Sequence, residues 1–447
     1  MTSSVIVLFG LLTAAFAWMW YSYYSIEIVM PFYRRGNWAM IWIYSILVWL
    51  YFKTFGGIAS GYLKRTDMFL SQIVSVVAVN VTAYLVVSLV GRRFMPLAPD
   101  IVLTFADLGI ISLWTLVSSK VLFLLCPPRK LVIVHGDSRA ADLVLKMSSR
   151  VDKYMICEAV SISEGEKLIR EIILTYEGVI FCGVPEDMRD SLLCFCYENS
   201  LTAYISPDVS DILIRGAEDI RLFDTPLILC RGFGITPEKL FLKRCFDIVF
   251  SAVMLVVLSP VMLIAALAVL FCDGAPVIYK QKRLTRDGKI FDVYKFRSMV
   301  RDAEKNGIPQ LSAGNDSRVT PVGRILRKFR IDELPQLVNI LKGDMSVVGP
   351  RPERPELAAE YEKEMPQFRY RLKVKAGLTG YAQVTGRYDT SPADKLKMDL
   401  MYIENYSFLM DLRMILMTVK AVIFPAGSST GSPEDSDKML SGEEKDK

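Results

Sequence analysis

At 447 residues, 52% hydrophobic and 23% charged, with a mean hydropathy of +0.31 and a net charge of +5, the chain is too apolar for an ordinary soluble protein and too charged for a pure membrane bundle. Its length suggests about three structural units, some in lipid and others in water. A single histidine, His135, leaves Ser-His-Asp chemistry, His-rich zinc sites and His-shuttled phosphotransfer with almost nothing to work with, so catalysis falls to carboxylates, Lys and Arg.

Four apolar runs, near residues 4–24, 38–56, 68–91 and 102–126, are each long enough to cross a bilayer core of about 30 Å. All six Trp lie between Trp18 and Trp114, several near run ends with Tyr21, Tyr23 and Tyr24, as aromatic belts do. Ala15 and Ala17 mimic a signal-peptide cleavage site, but no Lys or Arg precedes the first run and more spans come after it, so residues 1–126 are expected to be four transmembrane helices. Basic residues leave orientation tied: Arg34, Arg35, Arg92 and Arg93 flank one side, Lys64, Arg65, Arg129 and Lys130 the other. The eight Cys (Cys126, Cys157, Cys182, Cys194, Cys196, Cys230, Cys245, Cys272) form no CxxC pair and read as buried reduced thiols, which favours a cytosolic soluble part.

From residue 130, short β-rich runs at 131–136, 154–160, 178–183, 201–206 and 225–230 alternate with helical stretches, the pattern of a parallel α/β sheet over about 127–235. The first run ends in His135-Gly136-Asp137-Ser138-Arg139, without the further glycines that a dinucleotide pyrophosphate requires. The expected domain is Rossmann-like but degenerate, serving regulation or dimerisation, and His135 is a strand-end residue.

Residues 246–272 form a fifth apolar segment, long enough as a helix to cover about 40 Å. Pro260 lies mid-run, removing the bond to the Val256 carbonyl, and the Ser259 hydroxyl is placed to satisfy an orphaned group. After an even number of spans, a fifth crossing would also put the basic domain beyond it on the opposite face from the α/β domain. The segment is therefore expected to break at Ser259-Pro260 and re-enter the same leaflet, with a Pro-kinked spanning helix as the alternative.

Residues 275–335 carry 14 Lys or Arg against 7 Asp or Glu, so this stretch holds more positive charge than the whole chain nets. Placed just after a membrane-embedded segment, the excess suits phosphorylated lipid, anionic head groups or a phosphorylated soluble substrate; nucleic acid is not expected. Thr285-Arg286-Asp287-Gly288 reads as a hairpin turn joining two strands, which display Gln281, Arg283, Lys295 and Arg297. Leu334, Leu337, Ile340 and Leu341 then have helical spacing, with Pro335 in a first turn and Gly343 as terminator. Asp332 and Glu333 fall near that helix start. One reading is a capping pair worth about 1 kcal/mol. The other is functional: a helix start and neighbouring cations keep a carboxylate ionised and draw a phosphate to it, and adjacent carboxylates among phosphates suit Mg2+.

The runs KRCFDIVFSAVMLVVLSPV, PVIYKQKRLTRDGKIFDVYKFRSM, RKFRIDELPQLVNILKGDMSVVGPRPE and GLTGYAQVTGR, over residues 238–424, resemble the bacterial polyprenyl-phosphate hexose-1-phosphate transferases. The N-terminal spans and degenerate Rossmann-like domain are similar to the long monotopic members of that family. The resemblance implies an α/β catalytic domain at 236–424, anchored by the re-entrant Ser259-Pro260 helix at about 246–272, followed by a disordered tail at 425–447. It implies Asp332 as nucleophile towards a UDP-sugar, with glucose or galactose as the expected hexose and the N-acetylhexosamines as the alternative. Glu333 would bind Mg2+ or steer phosphate, with Asp332 beside it as metal-site carboxylate. Arg327 and Arg351 match phosphate-binding positions; Lys295, Arg297, Gln281 and Arg283 are further candidates. Undecaprenyl phosphate would be the acceptor, membrane lipids and a second copy of the chain the partners, and the bacterial inner membrane the location, with both soluble domains cytoplasmic. The competing class is a non-catalytic UDP-sugar- or lipid-binding scaffold. Ala376 and Tyr381 depart from the family's usual Pro and Trp, which bears on sugar selectivity. Residues 408–423, broken by Asp411, Arg413 and Lys420, read as an interfacial or a core helix.

Overall fold

The computed structural model describes residues 2–28, 34–58, 65–125, 127–137, 139–148, 150–230, 232, 234–300, 316, 318–386 and 390–423. Cys126, Ser138, residues 301–315 of the basic stretch and the expected tail lie outside them. The chain divides into two compact units between Ser206 and Pro207.

The first unit opens with α1 (Thr2–Met19), α2 (Arg34–Phe55), α3 (Arg65–Val90) and α4 (Ala98–Leu125). Leu8, Leu12, Phe16 and Trp20 recur every four residues and meet Tyr44, Val48, Phe52, Val76 and Val79 in a shared core. Trp18, Trp38 and Trp42 point outward and are about 60% exposed. Such outward apolar surface belongs in lipid, and all four helices are long and apolar enough to cross a membrane, as is a fifth in the second unit. Polar bonds fix the packing: Tyr44 Oη bonds to Asn80 Oδ1 (2.9 Å) and Asp107 Oδ2 (3.1 Å), and Asn80 Nδ2 donates to the same Asp107 oxygen (3.0 Å). These bonds tie α2, α3 and α4 together where water cannot satisfy them.

The same unit continues as β1 (Arg129–His135), α5 (Arg139–Ser148), β2 (Tyr154–Ser161), α6 (Glu166–Ile173), β3 (Gly178–Cys182), α7 (Glu186–Glu198) and β4 (Thr202–Ile205). The strands form one parallel sheet in the order β2-β1-β3-β4. Leu131 to Val134 are all buried, as a central parallel strand covered on both faces requires. A Cβ on Gly136 would overlap the Gly183 carbonyl, so this glycine serves a close approach between strand ends. Asp137 puts a carboxylate there, bonded to Arg139. The expected fifth strand, 225–230, does not join this sheet. It belongs to the second unit, because its run of apolar residues pairs antiparallel with the segment just before it. The thiol expectation also needs correction: Cys182 and Cys196 are buried, whereas Cys157, Cys194, Cys230, Cys245 and Cys272 are free and exposed.

The second unit contains α8 (Val209–Arg215), the hairpin β5 (Glu218–Leu222) and β6 (Thr225–Leu229), and α9 (Pro237–Asp273). Beyond them lie the hairpin β7 (Ile278–Leu284) and β8 (Ile290–Phe296), α10 (Pro321–Lys328), α11 (Gln336–Lys342), β9 (Ser346–Val348) and α12 (Pro355–Glu364). Then come β10 (Gly377–Thr379), parallel to β9, and α13 (Tyr381–Thr385), α14 (Pro392–Glu404) and α15 (Phe408–Ile423). The β7–β8 hairpin turns at Arg286–Gly288, where Asp287 and Gly288 adopt positive φ, as the sequence implied.

α9 is one 37-residue helix that continues through Pro260. The expected break is therefore a single missing bond, and the Ser259 hydroxyl donates to the orphaned Val256 carbonyl at 2.7 Å. Both ends of α9 are fastened to the same unit. Near its start, Arg244 donates to the Ile340 and Leu341 carbonyls at the end of α11 (2.6 and 2.9 Å). Asp247 accepts from Ser346 Oγ and the Val347 N–H (3.1 and 3.0 Å), and Lys243 pairs with Asp411 at 2.6 Å. Near its end, Ala265 and Val269 are buried with Phe296 and Leu326, and Thr320 donates to Asp273 at 2.9 Å. α15 is a core helix on one side, where Asp411 is fully buried against Tyr402 and Met414 is enclosed. On its other side Leu409, Leu412 and Val419 are exposed, as are Val256, Leu263, Ile264 and Phe271 of α9.

Candidate active site

β8 delivers Lys295, and α11 holds that strand in place. Asn339 of α11, fully buried, accepts from the Tyr294 N–H (3.0 Å) and donates to the Asp292 carbonyl (2.8 Å), so a helix side chain satisfies the strand's open edge. α10 starts on the Thr320 cap, whose hydroxyl accepts from the Gly323 N–H at 2.9 Å with Pro321 in first position. A Cβ on Gly323 would overlap the Ser298 carbonyl, so glycine lets α10 lie against the chain leaving β8. Arg327, a turn later, donates Nε to Ser298 Oγ at 2.9 Å.

The chain leaves α10 through Arg330 in the left-handed conformation (φ 54°) and makes a 3-10 turn, Ile331–Glu333, before α11. Pro335, not Asp332, occupies the position before α11, and no side chain caps either element. The capping-pair reading is thus not what this site uses. Asp332 and Glu333 are both buried, each 8% exposed.

The two carboxylates live in different environments. Glu333 Oε1 accepts from Lys295 Nζ at 2.9 Å and from the Arg351 guanidinium at 3.3 Å. Burial would raise its pKa, but Lys295, Arg351 and Arg330 outweigh that and hold the carboxyl well below the usual range. Asp332 accepts no hydrogen bond among the described residues. Burial and the neighbouring Glu333 charge push its pKa up, against the pull of Lys295, Arg327 and Arg351. The expectation that its surroundings favour ionisation of Asp332 is corrected: the firmly ionised group is Glu333. A carboxylate with a raised pKa is the better nucleophile once ionised, and an unbonded one is free to move onto an electrophile.

Arg351 arrives from the loop after β9. A Cβ on Gly377 would overlap the Gly349 nitrogen, and one on Gly380 the Gly349 carbonyl, so the VGPRP and GLTG segments cross at backbone contact. Two arginines then shape the loop. Arg371, 4% exposed, donates to the Arg351 carbonyl (3.1 Å) and pairs with Asp399 (2.7 Å) and Glu353 (3.3 Å). Arg283 donates to the Pro352 carbonyl (3.0 Å) and to Gln281 Oε1 (2.6 Å). Burial, with Arg351 nearby, lowers the Arg283 pKa to about 10.

The structure therefore gathers Asp332, Glu333, Lys295, Arg351 and Arg327. Gln281 and Arg283 stand behind them as supports of the Arg351 loop. Arg297 does not join: the strand ends at Phe296, and the Arg297 guanidinium is buried against the Asp273 carbonyl (2.5 Å) and the Gly274 carbonyl, closing the end of α9. Sequence reasoning missed Arg371, Glu353 and Asp399; the only signal was charge in otherwise buried positions. No cluster of three or more His, Cys, Asp or Glu surrounds the site among the described residues. Two adjacent carboxylates, one already occupied by cations, fit Mg2+ only as an ion held chiefly by substrate phosphates.

A cavity of about 760 Å³ opens between α9 and α11, lined by Leu255, Ser259, Pro260, Met262, Tyr294, Pro335 and Val338 among others. Ser259 and Pro260, far from Asp332 in sequence, thus line the same recess as Pro335.

A profile of the bacterial sugar transferase family matches residues 238–425. A UDP-N-acetylgalactosamine-undecaprenyl-phosphate N-acetylgalactosaminephosphotransferase of Aeromonas hydrophila is 37% identical over 43% of this chain and 46% of its own length. A UDP-glucose:undecaprenyl-phosphate glucose-1-phosphate transferase of Klebsiella pneumoniae is 40% identical over 46% of this chain and 43% of its own. The exopolysaccharide production protein PSS of Rhizobium leguminosarum bv. phaseoli is 41% identical over 40% of this chain and 94% of its own. The chain belongs to the bacterial sugar transferase family. It spans less than half the length of the Aeromonas and Klebsiella relatives.

Proposed function

We propose that this chain transfers a hexose-1-phosphate, of glucose or galactose, from a UDP-sugar to undecaprenyl phosphate at the start of exopolysaccharide, capsule or O-antigen repeat-unit synthesis. The observation that carries this reading is the split carboxylate pair: Asp332 buried, unbonded among the described residues and raised in pKa, next to Glu333 saturated by Lys295 and Arg351. Asp332 Oδ attacks the β-phosphorus; the bond from that phosphorus to the bridging oxygen breaks, and UMP leaves with the oxygen. A phosphate oxygen of the lipid then attacks the same phosphorus, releasing Asp332 and forming the polyprenyl-diphosphate sugar. Lys295, Arg327 and Arg351 stabilise charge on the transferring phosphoryl group. Mg2+ would neutralise diphosphate charge, with Asp332 and Glu333 as the nearest carboxylates.

The re-entrant reading of α9 rests on its anchors. Asp247 and Val269 are 22 residues apart, about 33 Å of helix or one bilayer thickness. A spanning helix would put them on opposite membrane faces, yet both bind the same unit. The remaining four helices then cross, the soluble parts share the cytoplasmic face of the inner membrane, and the apolar recess at Ser259-Pro260 receives the acceptor's polyprenyl end. The α/β sheet is a degenerate Rossmann-like domain, with Asp137 where a pyrophosphate would come, and a homodimer completes the assembly. UMP release measured over a panel of UDP-sugars, with and without undecaprenyl phosphate and with EDTA, tests the reaction, the sugar and the metal. Labelled sugar phosphate trapped on the protein before lipid is added supports the covalent step; equal UMP release by wild type and Asp332→Asn refutes it.

A further inference from the structure

Tyr44, Asn80 and Asp107, which tie α2, α3 and α4 together, lie at matching depths. Each falls within two residues, about 3 Å of helix, of the centre of a stretch long and apolar enough to cross a membrane: Arg35–Phe55, Thr66–Val90 and Ala98–Ser118. The cluster therefore sits at the midplane of the bundle, and all three side chains are buried. Asp107 has no ion-pair partner among the described residues, and its Oδ1 accepts no hydrogen bond. The groups that face it are Tyr44 from α2, Asn80 from α3 and, two turns earlier on α4 itself, Asp100; α1 carries no titratable side chain. An ionised Asp107 would be an unpaired charge at the centre of a bilayer, where a charge is least tolerated.

The hydrogen count says what the cluster lacks. Four contacts link it: Tyr44 Oη to Asn80 Oδ1 (2.9 Å) and to Asp107 Oδ2 (3.1 Å), and Asn80 Nδ2 to Asp107 Oδ2 (3.0 Å) and to Thr104 Oγ1 (3.0 Å). With Asp107 ionised, three hydrogens serve these four contacts, one from Tyr44 and two from Asn80, because the Thr104 hydroxyl donates to the Asp100 carbonyl (2.8 Å). Turning the Asn80 amide over does not supply the fourth, since it sets the amide oxygen against the carboxylate with no hydrogen between them. A hydrogen on Asp107 Oδ2 completes a ring in which Asp107 donates to Tyr44, Tyr44 to Asn80, and Asn80 back to Asp107. The same hydrogen removes the charge.

We propose that Asp107 is a proton-binding site at the membrane midplane, whose occupancy holds α2, α3 and α4 together. The assignment rests on the bundle lying in lipid, as proposed above, and not on the transfer chemistry. Infrared difference spectroscopy of the full chain in lipid nanodiscs, wild type minus Asp107→Asn at neutral pH, tests it. The wild type should show one C=O band of a protonated carboxyl, shifted in D2O, that the variant lacks. An amide at this position brings hydrogens for Tyr44 Oη and, once the Asn80 amide turns over, for its oxygen. Asp107→Asn should therefore keep the bundle intact, whereas Asp107→Leu, which opens the ring, should lower its melting temperature. All six Trp lie at or before Trp114, so Trp fluorescence reads this bundle. By that signal the wild type should lose melting temperature as the pH is raised, because a proton bound only in the folded state stabilises below its titration and not above it; Asp107→Asn should lose less. A difference spectrum without the acid band, or an Asp107→Asn bundle as unstable as that of Asp107→Leu, overturns the proposal. Quenching of the same Trp by lipids brominated mid-chain reads the lipid setting separately. Quenching without the acid band sinks the proton site alone, and no quenching sinks both the setting and the site.

Discussion

Two aspartates of the second unit are almost equally buried and should respond oppositely to the same change. Asp332 is 8% exposed and accepts no hydrogen bond among the described residues; Asp399 is 1% exposed and paired with Arg371 at 2.7 Å. Replacing Asp332 by Asn removes a charge that its surroundings disfavour. Its pKa is raised in the folded chain, so its contribution to stability is greatest below the unfolded value and is lost as pH rises; at pH 7 the ionised group is a net cost. Asp332→Asn should therefore leave stability within about 1 kcal/mol of wild type, on the stabilising side, while UMP release falls on the order of 10³-fold or more with the nucleophile gone. Asp399→Asn should do the reverse: burial pushes the Asp399 pKa up as well, but here the cost is set by the buried guanidinium that the change leaves behind. It strips the closest counter-charge from buried Arg371, which keeps only Glu353 and the Arg351 carbonyl, at about 2–4 kcal/mol. For a unit of this size that is a fall in melting temperature of roughly 4–16 °C, with activity lost in proportion to unfolding. No Trp lies beyond Trp114, so Trp fluorescence is blind to this unit; far-UV circular dichroism with parallel UMP assays reads both quantities. A strongly destabilised Asp332→Asn that retains turnover per folded molecule would refute the reasoning.

The pH profile of the transfer step should have an acid limb set by Asp332, which must be ionised to attack, and lying above that of an ordinary aspartate; Lys295→Met removes a cation that lowers the pKa and should move the limb to higher pH. An unmoved limb would detach Lys295 from the nucleophile. Ser259→Ala orphans the Val256 carbonyl within an apolar helix and should cost about 1 kcal/mol, slowing the lipid-dependent half-reaction while labelled sugar phosphate still accumulates on the protein. Gly377→Ala drives a methyl into the Gly349 nitrogen and should cost about 3 kcal/mol or more, read as loss of folded protein on expression. Normal expression of that variant would contradict the close crossing of the two loops.

The features legible in the sequence are local ones. The four apolar runs, the Thr285–Gly288 turn and the Ser259 hydroxyl answering the Val256 carbonyl all arise from neighbours in the chain, and all stand as expected. The strand at 225–230 is misplaced from sequence because a short apolar run suits a buried parallel strand and an exposed hairpin equally; only the antiparallel partner at 218–222 decides, and that is tertiary information. Arg297 looks equivalent to Lys295, two residues along the same strand face, but the strand stops between them and the side chain goes to the end of α9.

The division of labour between Asp332 and Glu333 is the least legible feature, for a physical reason. Adjacent residues share every short-range influence, including the turn, the local cations and the helix beyond, so nothing within DELPQL makes one carboxylate firmly ionised and the other basic. The asymmetry comes from two distant donors: Lys295, on a strand pinned by Asn339, and Arg351, on a loop held by Arg371 and Arg283. Both cations reach the same oxygen of Glu333, which leaves its neighbour buried and without a hydrogen bond among the described residues. The carboxylate pair is encoded within a few residues, and its polarity by side chains from elements far along the chain.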